Sequence, residues 1–399
     1  MARLFVGRGA ELQRLRRLAE PRGTRSVPVV VGPSGVGKTS LAEKLVEALN
    51  LSGGYTAFII HFISRPESLK ELAQVLRKEL LENVAAARLS HVVREVVAGL
   101  VEKKLGVRLG LERRPALEDL YELLSGLVDH LEGRRVVLVL DEAQLLVESL
   151  EGELWGFVKM AASLQERYPG RFQAILVTSD FGFQRRLYRE APSPDYVETF
   201  YLGEMTRGDA AALAQRIGLP PEGAVFEALG GHPVHLLQAG SYPDGPEAFY
   251  RLLVRKYRQI IREELHPLIS KKRFAGSGVE EPEMEEALSL LSRLAVEPLN
   301  MDEALPLEAK TTGLLDRLVK RGVLQYGCSD YLGVYFWNPD CRGHGGICGG
   351  GGVCGGLDVI GPSSRAALAA LAAVVKAAGR LDEARAPGWL RPALGLAGL

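Results

Sequence analysis

The chain has 399 residues, of which 47% are hydrophobic and 25% are charged. These proportions exclude an intrinsically disordered chain and predict two or three folded domains. The formal net charge is zero, so the overall basic excess that dominates non-specific nucleic-acid binding is absent and any DNA contact must be local. The N-terminal residues contain no signal-peptide core and no apolar run is long enough for a membrane span, so we expect a cytoplasmic protein without membrane partners.

The first predicted strand, at 27–31, is followed by a glycine-rich loop and a helix. Residues 29–40 read VVVGPSGVGKTS, which contains the pattern G-x-x-x-x-G-K-[ST]. In such a loop the backbone N–H groups surround phosphates, the lysine reaches the β and γ oxygens, and the hydroxyl residue binds magnesium. This pattern predicts a site for ATP and Mg²⁺, with Thr39 as a metal ligand. The predicted phosphate-loop residues are Gly32, Pro33, Ser34, Gly35, Val36, Gly37, Lys38, Thr39 and Ser40.

A second acidic motif follows about one hundred residues later. Val136 to Leu140 form an apolar run that ends in Asp141 and Glu142. An acidic residue at the carboxyl end of a buried parallel strand can hold magnesium through water. Asp141 is therefore predicted to hold the metal, and Glu142 to polarise the attacking water.

The order of strands and helices predicts an α/β fold over residues 1–203. Strands expected at 27–31, 55–63, 136–140, 172–177 and 197–202 alternate with helices, including those at 67–82, 90–104, 117–132 and 153–167. This alternation predicts a P-loop NTPase domain with a doubly wound parallel sheet, and ligands of such sheets bind beyond the carboxyl ends of the strands.

Short helices and a hairpin are predicted after this domain. Residues 204–270 are expected to form a helical lid, and residues 281–340 a winged-helix domain with three helices and a hairpin of strands 323–326 and 331–337. The third helix carries Arg317, Lys320 and Arg321. These cations either approach DNA phosphates or form the solvated face of a packing module, and the sequence leaves both open.

These motifs resemble those of the archaeal ATPases of the STAND branch of AAA+ P-loop proteins, over residues 1–337. The sequence FVGR at 5–8, followed by Glu11 and Leu12, is similar to that family's F-x-G-R-x-x-E-L opening near the adenine. DEAQ at 141–144 resembles its D-E-x-Q motif, and GHP at 231–233 resembles the G-x-P motif of its lid. The resemblance implies these further nucleotide contacts: Val6, Gly7, Arg8, Thr178 and Pro233.

An arginine near the γ-phosphate is also implied by the resemblance. The family tends to place one shortly before the last strand of the sheet, and Arg189 occupies that position here. The alternative is a surface salt bridge on a helix. The implied catalytic set is Glu142, Lys38 and Arg189.

The segment 341–399 departs from the family pattern. It is predicted to be a Gly/Cys-rich linker followed by an alanine-rich helix at 366–378 and an irregular end at 387–399. Its ligand-type residues, with one cysteine upstream, have spacings that match no common zinc site, so a metal site, disulfides and free thiols all remain open. These residues are Cys328, Cys341, His344, Cys348 and Cys354.

The predicted function is a nucleotide-dependent switch that binds ATP and hydrolyses it slowly with Mg²⁺. Its partner would be DNA or a protein, through the winged helix, or a second copy of the chain. One alternative is an ATP-licensed DNA-binding initiator or regulator related to origin-recognition proteins. The other is a nucleotide-binding scaffold without turnover.

Overall fold

The computed structural model describes residues 5–67, 117–131, 133–149, 154–180, 194–274, 282–311, 313–328, 351–354 and 358–399, with residues 71, 74, 75, 78, 79, 99, 182, 183, 186 and 331. Most of the helices predicted at 67–82 and 90–104, most of the strand predicted at 331–337, and Arg189 lie outside this part of the chain. Among the described residues, no helix is both long and apolar enough to span a membrane.

The strands of the described residues belong to two sheets. They are β1 Val27–Val31, β2 Tyr55–His61, β3 Arg135–Asp141, β4 Phe172–Thr178, β5 Val197–Leu202, β6 Leu299–Asn300, β7 Leu324–Gly327, β8 Gly351–Cys354 and β9 Val359–Pro362.

Helices connect these strands and follow them. They are α1 Gly9–Leu18, α2 Lys38–Leu51, α3 Leu117–His130, α4 Ala143–Ser149, α5 Leu154–Arg167, α6 Arg207–Arg216, α7 Ala224–Leu229, α8 Pro233–Gly240, α9 Pro246–Phe274, α10 Pro282–Leu294, α11 Met301–Lys310, α12 Leu314–Lys320, α13 Arg365–Ala377 and α14 Leu390–Leu396.

The larger sheet has the strand order β2-β3-β4-β1-β5-β8. Its first five strands are parallel, whereas β8 is antiparallel to β5. Alternate residues of each strand enter two different cores: Val30 and Val139 pack with α1 and α2, whereas Val29 and Leu138 pack with α3 and α5. Strands buried on both faces read as continuous apolar runs. The predicted doubly wound parallel sheet is confirmed.

The smaller sheet lies among the helices after residue 204 and has the order β6-β9-β7, with both pairs antiparallel. The strand predicted at 323–326 corresponds to β7, whose partner among the described residues is β9, where Leu324 faces Pro362 and Gly327 faces Val359. Alternation along a strand identifies the strand and the face it buries, but not its partner. The second strand of the predicted hairpin, at 331–337, lies mostly outside the described residues.

The boundary predicted at residue 341 does not separate packing units. Strand β8 extends the larger sheet, β9 is the middle strand of the smaller one, and α13 contributes to the same core as α9 and α10. Residues Ala366 to Ala372 of α13 are fully buried. Small side chains let a helix backbone approach its neighbours closely, so an alanine-rich segment suits a central helix.

The end of the chain is also more regular than predicted, because α14 occupies Leu390–Leu396 within the segment expected to be irregular. Its Pro392 lies in the first turn, where the backbone N–H groups have no partner inside the helix. A proline there does not interrupt the helix.

A disulfide joins Cys328, just after β7, to Cys354, the last residue of β8, with a Cα–Cα distance of 6.3 Å. It therefore links the smaller sheet to the edge strand of the larger sheet. Within the described ranges, no group of three or more histidine, cysteine, aspartate or glutamate side chains could hold a metal ion. Cys341, His344 and Cys348 lie outside those ranges.

Candidate functional site

The glycine-rich loop follows β1 directly and ends at the first turn of α2. Gly35 and Gly37 have φ angles of 83° and 96°, a left-handed conformation that glycine adopts without strain. A Cβ at Gly32 would lie 2.0 Å from the carbonyl oxygen of Leu202. The loop therefore needs glycine at one position for close packing on β5 and at two for its backbone path.

Lys38 is buried at the start of α2. Its Nζ donates to the carbonyl oxygens of Gly32 and Pro33, at 2.9 and 2.8 Å. Burial lowers the pKa of Lys38 to about 8, against the opposing effect of the carboxylates of Glu142 and Asp141. The ammonium group thus lies within the loop and faces both acidic residues of the second motif.

Thr39 and Asp141 meet although 102 positions separate them. The Thr39 hydroxyl donates to Oδ2 of Asp141 at 2.8 Å, and the Asp141 side chain is buried. Parallel strands bring their carboxyl ends to one edge of the sheet, where α2 also begins. The two predicted metal ligands are therefore adjacent.

His61 is a site residue that the sequence analysis missed. It ends β2 opposite Asp141 in the β2–β3 register, and its Nδ1 lies 3.1 Å from Oδ2 of Asp141. The hydrogen bond with Asp141 raises the pKa of His61, against the effect of partial burial. The available signal was its position, since it lies near the carboxyl end of the strand predicted at 55–63.

Glu142 has a φ angle of 54°, which is uncommon for a residue with a side chain and concentrates at functional sites. The Ser179 hydroxyl lies 3.1 Å from each carboxylate oxygen, and Nε2 of Gln144 donates to Oε2 at 2.5 Å. Gln144 in turn accepts from the Thr178 hydroxyl at 2.7 Å. Thr178 is buried behind Gln144, so Ser179, and not Thr178, lies beside Glu142.

Arg8 lies directly before α1 and contacts three parts of the fold. It is buried, and its guanidinium donates to the carbonyl oxygens of Val36 and Gly203 at 3.0 and 2.7 Å and pairs with Glu11 at 3.1 Å. Burial lowers the pKa of Arg8, against the effect of Glu11. Its side chain therefore connects α1 and the end of β5 to the glycine-rich loop.

The loop also touches the start of α8. His232 caps this helix, with Pro233 in its first turn, and Nε2 of His232 lies 3.1 Å from the carbonyl oxygen of Ser34. The His232 ring stacks on His235 with centroids 3.8 Å apart. The GHP sequence thus brings a helix of the predicted lid against the predicted phosphate loop.

One cavity of about 320 Å³ lies between these elements. The predicted site residues that line it are Val6, Arg8, Ser34, Gly35, Val36, Gly37, Lys38, Thr39, Ser40, Glu142 and Pro233. Those that do not line it are Gly7, Gly32, Pro33, Asp141 and Thr178. The lining residues outside the predicted set of contacts are Phe5, Ser179, Met205, Leu213, Val234 and Leu237.

Comparison with known families matches residues 4–167 to the AAA ATPase domain. This match spans the loop, Asp141 and Glu142. No curated protein matches the chain in sequence.

Comparison with solved structures finds distant matches at low identity. The ADP form of the ORC2 protein of Aeropyrum pernix is 14% identical, covers 95% of this chain and 96% of its own, and has a TM-score of 0.41. CDC6P from Pyrobaculum aerophilum is 15% identical, with 94% and 97% covered and a TM-score of 0.34. The Aeropyrum pernix ORC1 protein in complex with DNA is 16% identical, with 95% of each chain covered and a TM-score of 0.35. At these values the likeness assigns no activity to this chain.

Proposed function

We propose that the chain is a magnesium-dependent ATPase of the AAA+ type that acts as a nucleotide-dependent switch. The observation that carries this proposal is the 2.8 Å contact between the Thr39 hydroxyl and the Asp141 carboxylate. Hydroxyl and carboxylate oxygens are ligands that Mg²⁺ accepts, and Lys38 and Glu142 line the adjoining cavity. The AAA ATPase domain match supports the same assignment.

Each residue then has a role in phosphoryl transfer. Lys38 and the N–H groups of the loop bind the β and γ phosphates, and Thr39 and Asp141 hold Mg²⁺, which neutralises charge on those phosphates when bound. Glu142 orients and polarises the attacking water. Arg189 remains our candidate for a γ-phosphate contact, and the R189A variant should lower turnover more than ATP affinity.

We place the base of the nucleotide against the apolar residues that line the cavity. Phe5, Leu213 and Leu237 line it together with Pro233, and apolar walls suit a flat aromatic base. This placement, with the FVGR and GHP sequences, supports our assignment of the chain to the STAND branch, as in archaeal ATPases.

Two variants test the ATPase assignment. K38A should abolish ATP binding in calorimetry, because it removes the cation of the loop. E142Q should bind ATP normally but stop hydrolysis, because an amide does not accept the proton from the water. K44A is the matched control, since Lys44 is exposed on the same helix and pairs with Glu47. Unchanged ATP affinity in K38A would contradict the site assignment.

The switch proposal depends on contacts that the nucleotide would bridge. Arg8 holds the loop to the end of β5, and His232 holds it to α8, so a nucleotide between them contacts both parts. A ligand shifts such an equilibrium only through differential contacts. Hydrogen exchange over residues 203–240 should slow when ATP and Mg²⁺ are added. Equal exchange in both states would favour a passive scaffold.

The C-terminal half supports a winged-helix assignment. Helices α10, α11 and α12, with the antiparallel order β6-β9-β7, place one short strand after the first helix and two after the third. We retain 1–203 as the ATPase domain and 204–270 as the lid, and we assign the winged helix to 282–327 together with β9. The intervening residues supply β8 to the ATPase sheet.

The basic residues of α12 favour packing over DNA contact. Nε of Arg317 pairs with Glu264 at 2.9 Å, Arg321 pairs with Glu263 at 2.8 Å, and Lys320 pairs with Asp316 at 2.7 Å. Both glutamates belong to α9, so two of the three cations fasten α12 to the lid. A DNA-binding function therefore needs another surface.

A further inference from the structure

Helix α9 carries three arginines along one face. Arg255, Arg258 and Arg262 stand at positions i, i+3 and i+7, which share a face of an α-helix. At a rise of about 1.5 Å per residue, they form a straight row about 10 Å long. With Gln259 and His266 they line a surface depression of about 410 Å³. We call these three arginines the arginine face.

The positive charge of the arginine face is not neutralised within the part of the chain that the structure describes. None of its three guanidinium groups lies within salt-bridge distance of a carboxylate there, and Nε of Arg258 is buried without a hydrogen-bond partner. Burial lowers the pKa of Arg258, and the nearby charge of Arg262 lowers it further. Glu263 also lines the depression, and its carboxylate is already engaged by Arg321 and Gln259.

Neighbouring arginines, unlike those of the arginine face, pair with carboxylates. Arg251, one turn before Arg255 on the same helix, pairs with Glu247 at 3.0 Å, and Arg317 and Arg321 pair with glutamates across the α9–α12 contact. Like charges four positions apart on a helix, such as Arg258 and Arg262, destabilise it. The arginine face thus carries a repulsion that a bound polyanion would relieve.

We propose that the arginine face binds the phosphodiester backbone of a nucleic acid. A linear row of guanidinium groups suits the phosphates of DNA, of which each strand carries one per about 3.4 Å of helix axis. Guanidinium groups also bind phosphate oxygens in a bidentate manner. Contacts to the backbone carry no sequence information, so binding is independent of base sequence. This inference goes beyond the proposed ATPase and does not require ATP hydrolysis.

The test measures binding of the full chain to a fluorescein-labelled 20-base-pair DNA by anisotropy, between 50 and 300 mM KCl. The variant R255A/R258A/R262A should bind at least tenfold more weakly at 100 mM KCl. Its plot of log K against log salt should be less steep by about two to three, because each phosphate contact contributes about 0.9 to the slope. The same ATP affinity in variant and parent would show that the variant is folded.

The control variant also removes three positive charges, but from arginines that pair with carboxylates. It replaces three exposed arginines that each pair with a glutamate: Arg293, Arg385 and Arg391. This variant should bind DNA within about twofold of the parent, since surface ion pairs contribute little to the fold. Equal losses in the two variants would overturn the proposal, because total charge would then explain them. So would absence of DNA binding by the parent at 50 mM KCl, or binding of polyglutamate as tight as that of DNA.

Discussion

The imidazole of His232 and the carbonyl group of Ser34 join the start of α8 to the glycine-rich loop, with Nε2 and oxygen 3.1 Å apart. His232 is buried, and burial lowers its pKa to about 4, against the effect of its hydrogen bond to Ser34. The ring is therefore neutral at pH 7, and a hydrogen on Nε2 donates to Ser34. Because the peptide is planar, this bond also fixes the direction of the Gly35 N–H.

We expect H232L to weaken ATP binding about tenfold, since loss of a buried hydrogen bond costs about 1–3 kcal/mol. H232Q should retain most of the affinity, because its amide Nε2 can donate to the same oxygen. H235L is the control for loss of ring stacking and should bind ATP as the parent does. Calorimetry measures all three, and equal losses in H232L and H232Q would contradict the prediction.

ATP affinity should fall above pH 8, where Lys38 of the free protein loses its proton. Binding then requires protonation, so the affinity should decrease by up to about tenfold per pH unit. The K38R variant, if it binds ATP, should lack this dependence because a guanidinium stays charged. Titration calorimetry between pH 7 and 9.5 measures the ATP affinity of both proteins. A parallel decrease in both proteins would place the titrating group elsewhere.

The lowered pKa of Lys38 also affects stability, and here a rise in pH is favourable, whereas it weakens ATP binding. The pKa of Lys38 is about 8 in the folded state and about 10.4 in an unfolded chain, so the unfolded state binds more protons between these values. The contribution of this group to the free energy of unfolding therefore rises as pH increases from 8 to 10. Urea denaturation of parent and K38M compared across this range isolates the contribution.

Gln144 should position Glu142 for catalysis. It accepts from Thr178 and donates to Glu142, so Q144A should lower turnover about tenfold and leave ATP affinity unchanged. T178V should have a similar effect, because it removes the hydroxyl that orients Gln144. If the two act through one chain of hydrogen bonds, the double variant should be little worse than either single variant. Additive losses would show that the two residues act independently.

The disulfide between Cys328 and Cys354 should stabilise the folded chain. It closes a loop of 26 residues, and the loss of chain entropy in the unfolded state is worth about 3.5 kcal/mol. C328S/C354S should lower the free energy of unfolding by about this amount in urea, and reductant should lower that of the parent equally. C341S/C348S serves as the control for cysteine replacement. A parent insensitive to reductant would contradict the prediction.

The sequence alone was sufficient to predict the glycine-rich loop between a strand and a helix, the acidic strand end and the parallel sheet. Lys38 and Thr39 stand at fixed spacing in one short loop, and their chemistry depends on that spacing. The strands were recognisable because both of their faces are buried, which requires continuous apolar runs. Thr39 and Asp141 could be predicted as partners because parallel strands end at one edge.

Only the tertiary structure decided which distant segments meet. His61 joins Asp141 through the β2–β3 pairing, β8 adds to the edge of β5, and Arg317 pairs with Glu264 of another helix. No spacing in the sequence marks these pairs, because an exposed arginine or a short glycine-rich strand is compatible with many partners. The choice among these partners depends on the packing of the whole core. In that core, the buried helix α13 packs with the helices of residues 204–270 and with the smaller sheet.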